Sequence, residues 1–243
     1  MKCHQAIIRE EKLKAPHFDN LFGEWWKNHD LRLSDSRVRL INYDTARRIV
    51  EEYEWLGHMP AVVLFCYGIF FDGNCGGVAV YSPEYAENLG VWDKYGFTGK
   101  IVLLARGACT HWSPPNTASR LIRQSIRMLP AQYEIVTATV DPMAGEVGTI
   151  YQSCGFTFVG TMHEVDTRRP ALRMNGRLVG GRALRHKMGH YRQADMKKQF
   201  PDAVFTPQIT KGRYFCFRGP AKATHLNAVK HLVKPYLKRG GTQ

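Results

Sequence analysis

The chain has 243 residues, a formal net charge of +13, and 44% hydrophobic against 23% charged residues. That composition excludes a disordered or fibrous protein, and the length can bury a sizeable core. The longest apolar run, Ala61 to Phe71, is too short to cross a bilayer and stops at Asp72. Met1-Lys2-Cys3-His4 opens on polar sequence, so secretion is not expected. The cysteines are scattered, with no CxxC pair, which suits reduced thiols and gives a zinc site no support.

Residues 1–36 are poorly periodic and read as an N-terminal extension. Val38 to Asn42 reads as a short strand. Asp44 is placed to cap a helix from Thr45 to about Leu56, with Ile49, Val50, Tyr53 and Leu56 on one face and Gly57 ending it. Ala61–Phe71 and Gly76–Ser82 predict two strands joined at Asp72-Gly73-Asn74. Lys100–Arg106, with its run Ile101 to Ala105, predicts a strand buried on both faces. Residues 109–115, closing on Pro114-Pro115, form a loop. Asn116 then predicts the cap of a helix to about Met128, with Leu121, Ile122, Ser125, Ile126 and Leu129 inward. Pro130 stops it. Glu134–Val140 alternates as a strand ending at Asp141-Pro142. A short helix over 145–154 and a strand over 157–162 follow. Strand-helix units in this order make an α/β chain, with 37–162 as its core.

The charge is one-sided. From Thr161 onward there are 18 Lys and Arg against 4 Asp and Glu; before it, 16 against 17. A near-neutral body with a basic region over 163–243 suits a polyanion partner, because each phosphate contact releases counterions whatever the base sequence. The alternative is a solvated basic face that aids solubility. Arg168, Arg169, Arg173, Arg177, Arg182 and Arg185 are spaced through the turn signals Asn175-Gly176 and Gly180-Gly181, as in a basic ribbon or loop pair. Tyr214, Phe215 and Phe217 flank Cys216 in a strand and read as core.

Other constellations are weaker. Cys109 and His111 could pair as nucleophile and base, but two-residue spacing in a loop seldom aligns such a pair. His186 and His190 have helical spacing, yet Gly189 and the basic surroundings favour a nucleic-acid-facing loop. Arg120, Arg123 and Arg127 form a partly aligned stripe, either anion-binding or an ordinary exposed face.

The strand-helix order and the motif Tyr151-Gln152-Ser153-Cys154-Gly155-Phe156 resemble the GCN5-related N-acyltransferase fold, a mixed central sheet flanked by helices. The resemblance extends to the Mom family of Mu-type phages, a divergent branch of that fold. Three features carry it: Leu104-Ala105-Arg106-Gly107-Ala108-Cys109 through Pro115-Asn116-Thr117-Ala118-Ser119-Arg120-Leu121, Asp141 with Tyr151 ten residues on, and the basic tail.

The resemblance implies a phage-encoded transferase acting in the host cytoplasm. It would convert adenine in DNA to an N6-substituted, carbamoylmethyl-type base that shields the DNA from restriction. It implies Asp141 and Tyr151 as catalytic residues, and an iron held by His58, Asp141 and Tyr151. It implies a donor seat on Leu104, Ala105 and Arg106, with Asn116, Thr117, Ala118, Ser119 and Arg120 at a helix N-terminus suited to phosphate. The glycines that let CoA approach the backbone in the usual pattern are missing, so both acetyl-CoA and an aminoacyl-tRNA stay open as donor. Adenine in a duplex must be flipped out to react, and Trp112 is the candidate to stack on it.

Structural alternatives stand beside each assignment. Asp141 could form an Asx-Pro turn, Tyr151 could pack on the sheet, Trp112 could be core and His58 a surface residue. At the level of function, the alternatives are an N-acyltransferase on a protein or small amine, and a non-catalytic nucleic-acid-binding protein.

Overall fold

The computed structural model describes residues 3–14, 25–84, 92, 95–97, 100–142, 145–161, 166–174, 177–179, 193–202, 204–208 and 211–238. The elements begin with α1 (His4–Lys14), β1 (Arg37–Leu40), α2 (Tyr43–Tyr53), β2 (Phe65–Phe71), β3 (Asn74–Pro83) and β4 (Lys100–Cys109). Then come α3 (Thr117–Met128), β5 (Tyr133–Val140), α4 (Thr149–Ser153), β6 (Thr157–Thr161), β7 (Asp166–Met174) and β8 (Arg177–Val179). The chain continues with α5 (Gln193–Gln199), β9 (Val204–Gln208), β10 (Gly212–Phe217) and α6 (Lys222–Val229).

Seven strands form one mixed sheet in the order β1-β2-β3-β4-β5-β10-β6. Neighbours are antiparallel except β4 and β5, which run parallel. A parallel pair needs a crossover, and α3 supplies it. The expected mixed sheet flanked by helices is therefore what the chain builds. A separate sheet, β8-β7-β9, lies in sequence between β6 and β10. The basic region is thus not one appendage, because β10 sits inside the central sheet between β5 and β6.

Both faces of the sheet are covered, as side-chain alternation requires. Along β3, Ala79 and Tyr81 join a core with Leu121, Ile122 and Ile126 of α3, while Val78 and Val80 join Ala46, Ile49, Val50 and Tyr53 of α2 on the other face. Side chains such as Tyr81, Tyr214 and Phe215 have no exposed surface. Burying each contributes about 2 kcal/mol.

Three local expectations are corrected. Asn42, not Asp44, caps α2: its side chain accepts a hydrogen bond from the Thr45 amide at 2.8 Å. The helix ends at Tyr53, one turn early, because Glu54 leaves helical geometry and accepts the Leu56 and Gly57 amides. Asn116 precedes α3 but lies at φ 66° and makes no side-chain cap. The first helical residue, Thr117, turns its hydroxyl back and donates to the Pro114 carbonyl at 2.7 Å.

The poorly periodic N-terminus contains α1. Ile8 packs on the α2 cluster, Lys12 pairs with Glu52, and Gln5 Nε2 donates to the Tyr53 carbonyl at 2.8 Å. Among the described residues no helix is long and apolar enough to cross a membrane.

Candidate functional site

The site is built where β4 and β5 part. Their parallel pairing runs from Lys100↔Tyr133 to Leu104↔Ala138 and stops there. At the same point the β3–β4 register slips: Tyr81 faces Leu104 but Val80 faces Arg106, so Ala105 is a bulge. A bulge bends its strand, and the edge of β4 beyond Leu104 faces a cleft instead of a neighbour. This edge is where the donor seat was expected.

Two cavities flank the cleft. The first, about 450 Å³, is bounded by Glu54, Leu104 to Gly107, Asp141, Glu146, Tyr151 and Lys211, with Trp55, Leu56 and Thr139. The second, about 820 Å³, is mostly apolar and runs along Gly107 to Cys109, Ala118, Leu121, Ile122, Val140 and 145–151. They share Leu104, Gly107, Glu146 and Tyr151. The structure therefore brings Asp141, Tyr151 and the Leu104–Arg106 seat into one pocket.

Asp141 ends β5 and is buried, with Oδ2 3.7 Å from the Lys211 ammonium. Its amide donates to Glu146 Oε2 at 2.9 Å. Tyr151 lies on α4 against Phe156 and Tyr214, ring centroids 5.3 and 5.5 Å away. Burial pushes the Tyr151 hydroxyl well above the usual phenol range, and nearby Glu146 and Glu54 push it further. It stays protonated at neutral pH. Burial also lifts the Glu146 carboxyl to about 7, with the Asp141 amide opposing and the Glu54 and Asp141 charges adding to the rise. Glu54 is raised by burial too, against the pull of Arg106. The Arg106 guanidinium donates to the His58 and Ala105 carbonyls and lies 3.8 Å from Glu54.

Glu54, Glu146 and Lys211 were not singled out in the sequence. Glu146 follows Gly145 (φ 73°) in a turn whose amide returns to the Asp141 carbonyl at 3.2 Å. The Gly-Glu pair five residues past a strand end was the only trace of it.

The remaining assignments divide. His58 is exposed, and its Nδ1 meets the adjacent Met59 carbonyl at 3.0 Å. Its carbonyl accepts from Arg106, and His58 is not among the residues lining either cavity. Among the described residues no three His, Cys, Asp or Glu gather to hold a metal ion. Of the set His58, Asp141 and Tyr151 that the resemblance implies for iron, Asp141 and Tyr151 line one pocket and His58 lines neither. Trp112 is 5% exposed and packs edge-on against Trp25 and Phe71. It is core, and stacking on a flipped base would require it to leave that packing.

Ala118 lines the second cavity. Thr117 is buried, Ser119 hydrogen-bonds Ser153 at 2.8 Å, and Asn116 is exposed. Arg120 reaches the Ser34 and Ser36 carbonyls, and Arg123 the Ser153 carbonyl. These two arginines of the stripe tie backbone together. Burial lifts the Cys109 thiol to about 12, away from the thiolate that a nucleophile needs. His111 is buried with Nδ1 on the Tyr53 hydroxyl at 3.0 Å.

Arg168, Arg169, Arg173 and Arg177 lie on β7 and β8, which pair antiparallel. Arg182, Arg185, His186, His190 and the expected turn at Asn175-Gly176 lie outside the described residues.

The sheet order, the parting of its parallel pair and the acid-lined pocket at the parting define an α/β protein with one cleft in a mixed seven-stranded sheet. The Mom protein family model matches residues 35–238. The chain belongs to that family. A search of curated proteins finds no match.

Solved structures with a similar course include a Bacillus subtilis acetyltransferase in complex with CoA, at 13% identity and TM-score 0.43, covering 76% of this chain and 99% of that one. Another is FeeM, an N-acyl amino acid synthase from uncultured soil microbes, at 16% and 0.42, covering 77% and 91%. A third is the Vibrio cholerae spermidine N-acetyltransferase with CoA and spermine, at 9% and 0.43, covering 80% and 99%.

Proposed function

We propose that this chain transfers an activated small group to N6 of adenine in DNA, giving an N6-substituted, carbamoylmethyl-type base that protects phage DNA from host restriction. The carrying observation is that Asp141, Tyr151 and the bulged edge of β4 share one pocket in a chain of the Mom family. Transfer of an acyl group to a weakly nucleophilic amine needs a base, an oxyanion seat and an acid for the leaving group. Glu146, titrating near about 7, can take the N6 proton. The unpaired β4 edge at Ala105 to Gly107 offers N–H groups to the oxyanion. Tyr151, kept protonated, can give its proton to the departing group. Asp141, steadied by Lys211, orients the acceptor.

The N6–carbon bond forms as the bond from that carbon to the carrier breaks. An acyl-CoA and an aminoacyl-tRNA ester both suit this step. A glycyl group transferred directly gives N6-glycyladenine, an isomer of the carbamoylmethyl base. A rearrangement therefore shows in the fragmentation pattern, not in the mass. The arginine-rich β7–β8 ribbon supplies phosphate contacts that hold the DNA while the base is flipped.

A second reading rests on the acidic lining of the pocket. Glu54, Asp141 and Glu146 would also seat a cationic small amine, and the basic region would then be idle.

Mass spectrometry of nucleosides from cells expressing the chain tests both. We expect a new adenosine species that vanishes in Asp141→Ala and falls about a hundredfold in Tyr151→Phe. Unmodified DNA in cells that hold soluble protein would sink the DNA reading.

A further inference from the structure

The edge of β4 beyond the bulge alternates in direction. The Thr110 amide turns toward β3 and donates to the Gly76 carbonyl at 3.0 Å. The Cys109 amide therefore turns the other way, into the cleft, and by the two-residue period so does that of Gly107. Gly107 is open: a Cβ there would meet nothing nearer than the Val78 carbonyl oxygen at 4.0 Å. The Cys109 amide is taken, since it donates to Gln5 Oε1 of α1 at 3.3 Å. The other end of the same side-chain amide donates to the Tyr53 carbonyl of α2. Cys3, His4 and Gln5 thus close the larger cavity at the far end of the β4 edge from the acid pocket. A carboxamide from the protein stands where an amide of a bound donor would pair with β4.

We infer that Gln5 is a donor-specificity residue: it occupies the outer N–H of the β4 edge and shortens the groove, so that the site favours a donor with a short carrier arm over one whose amide-bearing arm runs the full edge. The inference deepens the proposed transfer reaction and rests on the cleft being the donor site. None of the residues of α1 is buried. Gln5, Ile8 and Lys12 attach it to α2, with the Lys12 ammonium also over the Tyr53 ring. A long-armed donor can enter only by displacing the Gln5 amide, which lowers its affinity.

The probe is coenzyme A alone, titrated by calorimetry into the full chain and into Gln5→Ala and Gln5→Ser. Freeing one hydrogen-bonding edge position is expected to tighten CoA binding about tenfold in both variants. A purely structural role for Gln5 would weaken binding or leave it unchanged. Hydrogen exchange reads the same event without a variant: excess CoA should raise exchange across 5–14 in the wild-type chain while the Cys109 amide stays protected. Equal or weaker CoA binding in the variants, or no binding by any form, overturns the assignment of Gln5. Such a result leaves the DNA reading to the nucleoside test. Absence of modified adenosine beside tighter CoA binding in the variants would instead overturn the DNA reading and keep Gln5 in its role.

Discussion

Glu146→Gln is expected to cut the rate of adenine modification at least a hundredfold while making the protein more stable above neutral pH. The two effects share one cause. Burial lifts the carboxyl to about 7, so the side chain is poised to accept a proton at working pH. A base works only when ionised, so the wild-type rate should rise as pH climbs through about 7 and level off above it. In the glutamine variant the residual rate should lose that limb. The folded state binds this proton more tightly than the unfolded chain does. The resulting stability is fully present below the ordinary carboxyl range and is lost as pH rises through about 7. A rise from 4.5 to about 7 corresponds to about 3 kcal/mol. Partial exposure of the side chain brings this nearer about 2 kcal/mol. Glutamine carries no such loss and can still accept the Asp141 amide. Single-turnover rates and urea melts across the neutral range measure both. A variant that keeps the wild-type pH–rate limb would remove Glu146 from the role of base.

Gly148→Ala should be the most damaging small substitution near the site, at about 3 kcal/mol. Gly148 precedes α4 at φ 73°, a region costly for any residue with a Cβ. A Cβ there would lie 2.6 Å from Cζ of Tyr214, whose side chain is fully buried in β10. Tyr214 cannot step aside cheaply: its hydroxyl donates to the Val147 carbonyl at 2.8 Å and accepts from Gln152. Overpacking and backbone strain therefore add. Gly73→Ala is the control. It has a similar φ of 79° but nothing within 4 Å, so only the backbone cost of about 1 kcal/mol remains. Thermal melts that fall equally for the two would show that the Tyr214 contact carries no weight. Because Gly148 sets the start of the helix bearing Tyr151, activity should fall with stability in Gly148→Ala alone.

What the sequence showed and what it hid follow one division. The strands read over 100–106 and 134–140 and the helix between them were legible, because their burial pattern is local and periodic, though β4 runs on to Cys109 where a loop was expected. Asp141 and Tyr151 were legible as a pair through the family resemblance that their ten-residue separation and Gly155-Phe156 carry. The N-terminal helix was not, because its few apolar residues make no stripe and its place is fixed by Gln5, Ile8 and Lys12 touching distant elements. Nor was the insertion of β10 between β5 and β6, since pairing order is non-local. Glu54, Glu146 and Lys211 come from a helix end, a turn and a pre-strand residue. They become chemistry only when the parting of two strands draws them together. His58, a ligand only by the family resemblance, sits in surroundings without a pattern, and in the fold its carbonyl accepts from Arg106 while it lines neither cavity.

The pairing of Thr161 with Gly212 places the exit of β6 and the return of β10 on facing rungs of one ladder. Everything between them is, to the central sheet, a connection grown long. Lengthening such a loop costs little, because closure entropy rises only with the logarithm of its size. If that segment is what grips DNA, it could be exchanged or reshaped during descent while the cleft at the β4–β5 parting stayed put. Target choice and chemistry would then diverge at separate rates within one lineage.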